Sequence, residues 1–331
     1  MVEWFNLSED ERKIIINQVS IKKGLLPTAI EKDWWVMIAL RAIFKTKYSD
    51  YLLFKGGTSL SKSYNLIERF SEDIDLALDR SFFNLEGNLT KSQVRNLRKK
   101  SAKFVCEVFI HELEKELLEN NVKDFELSIV NFEESDTDPI SIELRYKSLT
   151  ETIPYLQPRI LIEISSRSLR NPFENREVIS FIDEVYPNLP FSNKPISVPT
   201  VLPTRTFLEK IFLLHEEFQK PDENKIRHER MTRHLYDISK LMDSNYSQQA
   251  LNNTELYQTI VNHREMITNL PWVDYTKHNT KTLNFIPSEK IIENWRKDYK
   301  DMQESMFYGK TDSFDKLIMK LTELNREINN K

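Results

Sequence analysis

Two glycines, Gly56 and Gly57, stand side by side in a chain of 331 residues that contains five glycines in all. Glycine tolerates tight turns and close backbone approaches, so an adjacent pair in such a glycine-poor chain marks a backbone constraint. The segment 73–78, Asp-Ile-Asp-Leu-Ala-Leu, follows and predicts a strand with Asp73 and Asp75 on one face, because residues i and i+2 of a strand point the same way. The pattern therefore predicts a glycine turn followed by a strand that carries two carboxylates.

The composition excludes several classes of protein. Hydrophobic residues make up 40% of the chain and charged residues 30%, which is typical of globular proteins. The formal net charge is −4, so any binding of nucleic acid depends on local basic patches. A single cysteine, Cys106, excludes an internal disulfide, and we expect a cytoplasmic protein with no secretory signal and no membrane span.

The hydrophobic pattern predicts two domains that meet near residue 200. Residues 1–200 are expected to be an α+β part, which opens with two helices: one capped by Ser8 and Glu11, and one that starts at Pro27. Residues 201–331 are expected to form a wholly helical domain. In the first part, periodicity predicts helices over 60–70 and 91–120, and strands over 51–55, 73–78, 125–132, 140–148 and 159–165.

Three carboxylates are candidate metal ligands. Asp73 and Asp75 repel each other unless a cation or a shared proton lies between them, and Mg²⁺ is commonly held by a pair of carboxylates together with substrate phosphates. Glu163 lies in the apolar strand Ile-Leu-Ile-Glu-Ile, where a buried carboxylate is costly without a partner or a metal. Alternatively, the aspartates lie on a solvated strand edge and Glu163 faces solvent.

The glycine pair is a candidate phosphate-binding turn. A helix that starts here leaves backbone N–H groups available to an anion, and Thr58, Ser59 and Lys62 add hydroxyl groups and a cation. The spacing fits neither a Walker A loop nor the dinucleotide fingerprint. The glycines alone leave open a tight turn with an ordinary helix cap.

The second half of the chain carries weaker signals. Lys210 and Asp237 lie in helical segments, and each taken alone indicates an ordinary helix-surface residue. The histidines show no metal-ligand spacing, so His234 is expected at the surface. The segment 91–103 contains six basic residues and no acid, which indicates either a solvated helix face or a contact to a polynucleotide backbone.

In combination, these segments resemble the AbiEii/AbiGii-type toxin family of nucleotidyltransferases, which has a DNA polymerase β-like core. The resemblance extends over most of the chain and rests on five segments in the family's order. These are Glu31-Lys32-Asp33-Trp34-Trp35-Val36, the first motif Gly56-Gly57-Thr58-Ser59-Leu60 with Arg69-x-Ser71-x-Asp73-x-Asp75, residues 162–167, the helical pair Glu209-Lys210 with residues 233–237, and residues 295–302.

The resemblance implies an α+β fold, with a polymerase β-like core of mixed sheet and flanking helices. A helical C-terminal domain follows, and the resemblance implies that it contributes to the active-site cleft. It implies a toxin of a toxin–antitoxin or abortive-infection system that moves a nucleoside monophosphate from an NTP to an acceptor hydroxyl. The 3′ end of tRNA is the expected acceptor, and the expected antitoxin is a separate DNA-binding protein.

The resemblance also implies roles for single residues. Lys210 would neutralise phosphate charge, and Asp237 would orient Lys210, bind base or ribose, or take part in proton transfer. The metal ligands for Mg²⁺ would be Asp73, Asp75 and Glu163. The triphosphate would be held by Gly56, Gly57, Thr58, Ser59 and Lys62, with Arg69 and Ser71 as supporting groups.

Two other functions stay open at this point. One is nucleotidyl transfer to a hydroxyl group of a protein or of a small molecule. The other is a non-catalytic, nucleotide-binding regulatory protein, which the presence of both aspartates, both glycines and Lys210 disfavours. The basic segment 91–103 favours RNA as the acceptor.

Overall fold

The computed structural model describes residues 3–71, 73–152 and 156–330, and the chain divides into two compact units. The first unit consists of Met1–Tyr64 and Phe70–Val201. The second consists of Asn65–Arg69 and Leu202–Lys331. The short segment Asn65–Arg69 therefore belongs with the helices that follow residue 201, although its neighbours in sequence belong to the first unit.

Two helices open the first unit as the sequence predicts. Helix α1 (Glu9–Lys23) begins at Ser8, whose side chain accepts a hydrogen bond from the N–H of Glu11, and the Glu11 carboxylate accepts one from the N–H of Ser8. This reciprocal pair satisfies two N–H groups that a helix start leaves without partners. Helix α2 (Pro27–Ile43) begins with proline, whose missing N–H costs nothing in a first turn. Nearly all of α2 is buried, so it forms a central part of the core.

The first unit contains a mixed β-sheet. Its strands are β1 (Leu52–Lys55), β2 (Ile74–Leu78), β3 (Phe125–Ile129), β4 (Ile140–Tyr146), β5 (Arg159–Ser165), β6 (Phe173–Val178) and β7 (Ile196–Val201). In the described residues the sheet has seven strands in the order β3-β4-β5-β2-β1-β7-β6. The pairs β1–β7 and β2–β5 are parallel, and the other neighbours are antiparallel. The predicted α+β class with a mixed sheet is confirmed.

Five elements of this unit differ from the sequence prediction. The helix predicted over 60–70 is instead α3 (Gly56–Lys62), which begins at the glycine pair and ends early. The long helix predicted over 91–120 consists of α4 (Lys91–Phe104), a π-helical segment and α5 (Ile110–Glu119). Strands β6 and β7 and the short helix α6 (Phe181–Val185) are absent from the prediction. For β7 the reason is Pro199, because proline argues against an internal strand.

The second unit is helical where the structure describes it. Its longest helices are α7 (Pro203–Glu217), α8 (Thr232–Met242), α9 (Asn245–Asn252), α10 (Thr254–His263), α11 (Ile292–Ser305) and α12 (Phe314–Asn329). Helix α7 is buried along most of its length, and Trp295 and Tyr299 of α11 are almost fully buried. None of the described helices, in either unit, has the length and hydrophobicity needed to span a membrane.

A buried histidine in this unit is held in its neutral form. The ring Nδ1 of His215 accepts a hydrogen bond from the N–H of Asn284 at 3.0 Å, and the ring lies 5.0 Å from that of His278. Burial, and then the nearby His278, lowers the pKa of His215 to about 4. A protonated ring would lose the bond from Asn284, because an imidazolium nitrogen cannot accept a hydrogen bond.

We therefore expect the free energy of unfolding to fall as the pH is lowered from 6.5 towards 4. The unfolded chain takes up a proton on His215 near its ordinary pKa of 6.5, whereas the folded chain does so only near 4, and the difference corresponds to roughly 3 kcal/mol. Chemical denaturation at several pH values measures this effect. His215→Gln should flatten the dependence and the exposed His111→Gln should not; an unchanged slope in His215→Gln contradicts the prediction.

Candidate active site

Strands β1, β2 and β5 are neighbours in the sheet, and they place three charged residues in one row. Lys55 of β1 pairs with Asp75 of β2, and Asp75 is in register with Glu163 of β5. Residues paired in this way project from the same face of a sheet whose neighbouring strands lie about 5 Å apart. Two of the three predicted carboxylates are therefore adjacent, and the lysine beside them was missed by the sequence analysis.

The environment of Glu163 shows that these charges act on one another. Burial raises the pKa of Glu163, and the negative charges of Asp75 and, more weakly, Asp73 raise it further. The positive charges of Lys55 and Arg167 act in the opposite direction. The carboxylates are thus close enough to repel each other, which is the situation that a bound cation relieves.

The donor atoms of this group suit a hard divalent cation. Asp73, Asp75 and Glu163 offer only oxygen atoms, which are the ligands that Mg²⁺ takes in proteins. Within the described ranges, however, no group of three or more His, Cys, Asp or Glu side chains is arranged so that it could hold a metal ion. The oxygen donors suit Mg²⁺, but the three carboxylates would have to draw closer together to ligate one ion.

Gly56 allows the carboxylate of Asp75 to lie against the start of α3. Its φ is +80°, in the left-handed region that favours glycine, and a Cβ atom at this position would lie 1.9 Å from Oδ2 of Asp75. No side chain larger than hydrogen fits there without displacing Asp75. The glycine pair noted in the sequence thus permits a close approach between the turn and the carboxylate row.

The hydroxyl groups of the turn bind other parts of the protein. Thr58 donates to the carbonyl of Asp73 and also lies 2.8 Å from the hydroxyl of Ser71, while Ser59 donates to the carbonyl of Gly56 at 2.9 Å. Both Thr58 and Ser59 are buried. They hold the turn and the residues before β2 in place, so anion binding by this turn would depend on backbone N–H groups.

The ammonium group of Lys62 is not brought to the predicted phosphate site. It forms an ion pair with the buried carboxylate of Asp33 in α2 and donates to the carbonyl of Ile179 at 3.2 Å. It also lies 3.9 Å from the centre of the Phe181 ring. These contacts engage the ammonium group and anchor α3 to α2, and a phosphate contact by Lys62 stays a prediction.

In the second unit, Asp237 of α8 binds two cations. Its carboxylate accepts hydrogen bonds from Nε and Nη2 of Arg69, both at 2.7 Å, and lies 2.9 Å from Nζ of Lys210. Burial alone would raise the pKa of Asp237, but the charges of Arg69 and Lys210 outweigh this effect and lower it. The structure thus joins three residues that the sequence analysis selected from separate segments.

His234 was expected at the surface, and this expectation is wrong. The side chain is half-buried in α8, and its Nδ1 lies 3.4 Å from Nζ of Lys210. Burial, followed by the charge of Lys210, lowers the pKa of His234 well below its ordinary value. Spacing rules for metal ligands could not find this residue, because its partner is a lysine from another helix.

Gly56→Ala is expected to destabilise the protein and to reduce its activity, because the new methyl group displaces Asp75. A non-glycine residue in the left-handed region costs about 1–2 kcal/mol, and the added crowding costs about 1–3 kcal/mol more. The matched control is Gly24→Ala, since Gly24 has a φ of +66° with no atom within 4 Å of the added Cβ. Thermal unfolding and turnover of both variants test this; equal losses in the two variants would contradict it.

Comparisons with known proteins identify a family and similar solved structures. The model of the family described as Nucleotidyl transferase AbiEii toxin, Type IV TA system, matches residues 38–320. Among solved structures, the chain is similar to MenT4, a nucleotidyltransferase toxin from Mycobacterium tuberculosis H37Rv, with 15% identity and a TM-score of 0.45 over 96% of this chain and 97% of that chain. No curated protein matches the sequence.

Proposed function

Because the chain belongs to the AbiEii family of nucleotidyltransferase toxins of type IV toxin–antitoxin systems, we propose that it transfers a nucleoside monophosphate to the 3′ hydroxyl of tRNA. The family implies an NTP substrate and an antitoxin partner. We propose that the antitoxin is a separate DNA-binding protein and that the enzyme acts in the cytoplasm. The row formed by Asp75 and Glu163 beside Gly56 is the observation that carries the proposed site.

Nucleotidyltransferases generally use a divalent metal, and we propose Mg²⁺ held by Asp73, Asp75 and Glu163. When bound, the ion supplies positive charge to the triphosphate and lowers the pKa of the attacking hydroxyl. Support comes from the all-oxygen donor set and from the pKa of Glu163, which burial raises and which the negative charge of Asp75 raises further. The bond between Thr58 and the carbonyl of Asp73 holds the first of these ligands beside the turn.

The proposed step forms one bond and breaks another. The 3′ oxygen of the acceptor attacks the α-phosphorus of the NTP, and the bond between the α-phosphorus and the oxygen bridging to the β-phosphate breaks. Pyrophosphate leaves with the electron pair, and the proton of the hydroxyl passes to solvent. Backbone N–H groups at the start of α3 would hold the triphosphate, because the hydroxyl groups of Thr58 and Ser59 already bind backbone carbonyls of the protein.

We also propose that Lys210 contributes positive charge to the reaction and that Asp237 fixes its position. The ion pair at 2.9 Å supports the positioning role, since it holds the ammonium group in one place. The second cation on Asp237, Arg69, would act as a positioning residue through the same carboxylate. Among the earlier alternatives for Asp237, this contact favours the orientation of Lys210.

The acceptor is tested by following a label from the α-phosphate of each NTP. The protein is incubated with one labelled NTP at a time, Mg²⁺, and either intact tRNA, periodate-oxidised tRNA or total protein. We expect label on intact tRNA and none on oxidised tRNA, which lacks the 3′ hydroxyl. Label on protein or on a small molecule would replace the proposed acceptor, and NTP binding without any labelled product would favour a non-catalytic protein.

A further inference from the structure

Helix α4 of the first unit presents a basic face that has no acidic residue along the helix. Its apolar residues are buried, including Val94, Leu97, Ala102 and Phe104. From residue 91 to residue 103 the helix rises by about 18 Å. The exposed cations along this length are Lys91, Arg95, Lys99, Lys100 and Lys103.

Most of the positive charge on this face is not neutralised by the protein. Arg95 pairs with Asp136 at 3.1 Å, and Lys103 lies 3.8 Å from Glu107 in an exposed pair. Lys91, Lys99 and Lys100 form no ion pair with any residue in the described part of the chain. In a protein whose formal net charge is −4, this face is therefore a local concentration of positive charge.

An ion pair and hydrogen bonds connect the basic face to β5, the strand that carries Glu163. Asp136, the partner of Arg95, lies two positions before Asp138 in the chain. The carboxylate of Asp138 accepts hydrogen bonds from the hydroxyl of Ser165, at 2.7 Å, and from the N–H of Ser166, at 3.2 Å. Because Ser165 ends β5 two residues after Glu163, one short segment links α4 to the candidate active site within the same unit.

We propose that the exposed face of α4 binds the phosphate backbone of the RNA acceptor. This inference rests on the proposed function and adds the surface on which the acceptor docks. Lysine and arginine side chains without carboxylate partners are what a phosphate backbone requires. An anionic membrane would instead require an exposed apolar face on the helix, and the apolar residues of α4 are packed in the core.

The test compares two triple variants of the full chain that change the net charge equally. The first variant is Lys99→Gln/Lys100→Gln/Lys103→Gln. The control is Lys13→Gln/Lys115→Gln/Lys123→Gln, whose lysines are also exposed and include Lys115, which lies 3.8 Å from Glu119 in an i,i+4 pair like that of Lys103. Fluorescence anisotropy of labelled tRNA, without NTP, gives the affinity of each protein over a range of salt concentrations.

We expect the first variant to bind tRNA roughly ten- to hundredfold more weakly at 0.1 M salt. The slope of the logarithm of the association constant against the logarithm of salt concentration should be smaller in magnitude by about 2. The control should match the unmodified chain. Equal weakening in both variants, or in neither, overturns the proposal. Loss of binding to phosphatidylserine vesicles with unchanged tRNA affinity also overturns it and assigns the face to a membrane. If the unmodified chain labels no tRNA, the proposed function fails, and this result is separate from the binding measurement.

Discussion

Asp75→Asn is expected to reduce nucleotidyl transfer by at least roughly 10³-fold. The substitution keeps the size of the side chain and removes the negative charge at the centre of the row formed with Lys55 and Glu163. Without that charge, the site loses a proposed ligand for a cation, and Glu163 loses the negative charge that most raises its pKa after burial. The initial rate of label transfer from the α-phosphate of the NTP measures the loss.

The control for this variant is Glu126→Gln, which removes an exposed carboxylate from the edge strand β3 of the same sheet. It should transfer label at the rate of the unmodified chain. Thermal unfolding of both variants should match that of the unmodified chain, so that a lost rate reflects chemistry. Full transfer by a folded Asp75→Asn protein would refute the assignment of Asp75.

Asp237→Asn is expected to lower the free energy of unfolding by about 3–5 kcal/mol. The side chains of Asp237 and Arg69 are 0% and 2% exposed, and that of Lys210 is 8% exposed. Removing this charge takes away the carboxylate that the two buried cations share. Chemical denaturation at neutral pH measures the difference between the variant and the unmodified chain.

A second substitution tests the cause of this destabilisation. Lys210→Met added to Asp237→Asn removes one of the two cations that bind the Asp237 carboxylate, so the double variant should be more stable than Asp237→Asn alone. Glu304→Gln, which breaks an exposed pair with Lys300 at 3.9 Å, should leave stability unchanged. If Asp237→Asn unfolds at the same denaturant concentration as the unmodified chain, the buried group of Arg69, Lys210 and Asp237 does not contribute to the free energy of unfolding.

Local signals in the sequence predicted much of the fold. The capping pair of Ser8 and Glu11 and the proline at the start of α2 act within one helical turn, so neighbouring residues suffice to recognise them. The strands that carry Asp75 and Glu163 follow from apolar alternation over a few residues. The glycine pair indicates a backbone constraint in the sequence. Its physical reason is that the Asp75 carboxylate lies against Gly56, and this contact depends on the neighbouring strand β2.

The sequence pattern does not predict contacts between distant segments of the chain. Lys55 joins the carboxylate row only through the pairing of β1 with β2. Lys62 looked like a phosphate ligand because it follows the glycine turn, whereas a carboxylate 29 positions earlier in the chain, Asp33, pairs with it. His234 lies beside Lys210 through the packing of two helices. Each of these depends on tertiary structure, which a resemblance to a family does not specify for single side chains.

The transfer claim is tested most directly by following the α- and γ-phosphates of one NTP in parallel reactions with the same acceptor. We expect the α-label to appear on the acceptor, the γ-label to leave in pyrophosphate in equal amount, and Asp75→Asn to reduce both products to the same extent. A γ-label on the acceptor, or its release as inorganic phosphate with no α-label transferred, would refute nucleotidyl transfer.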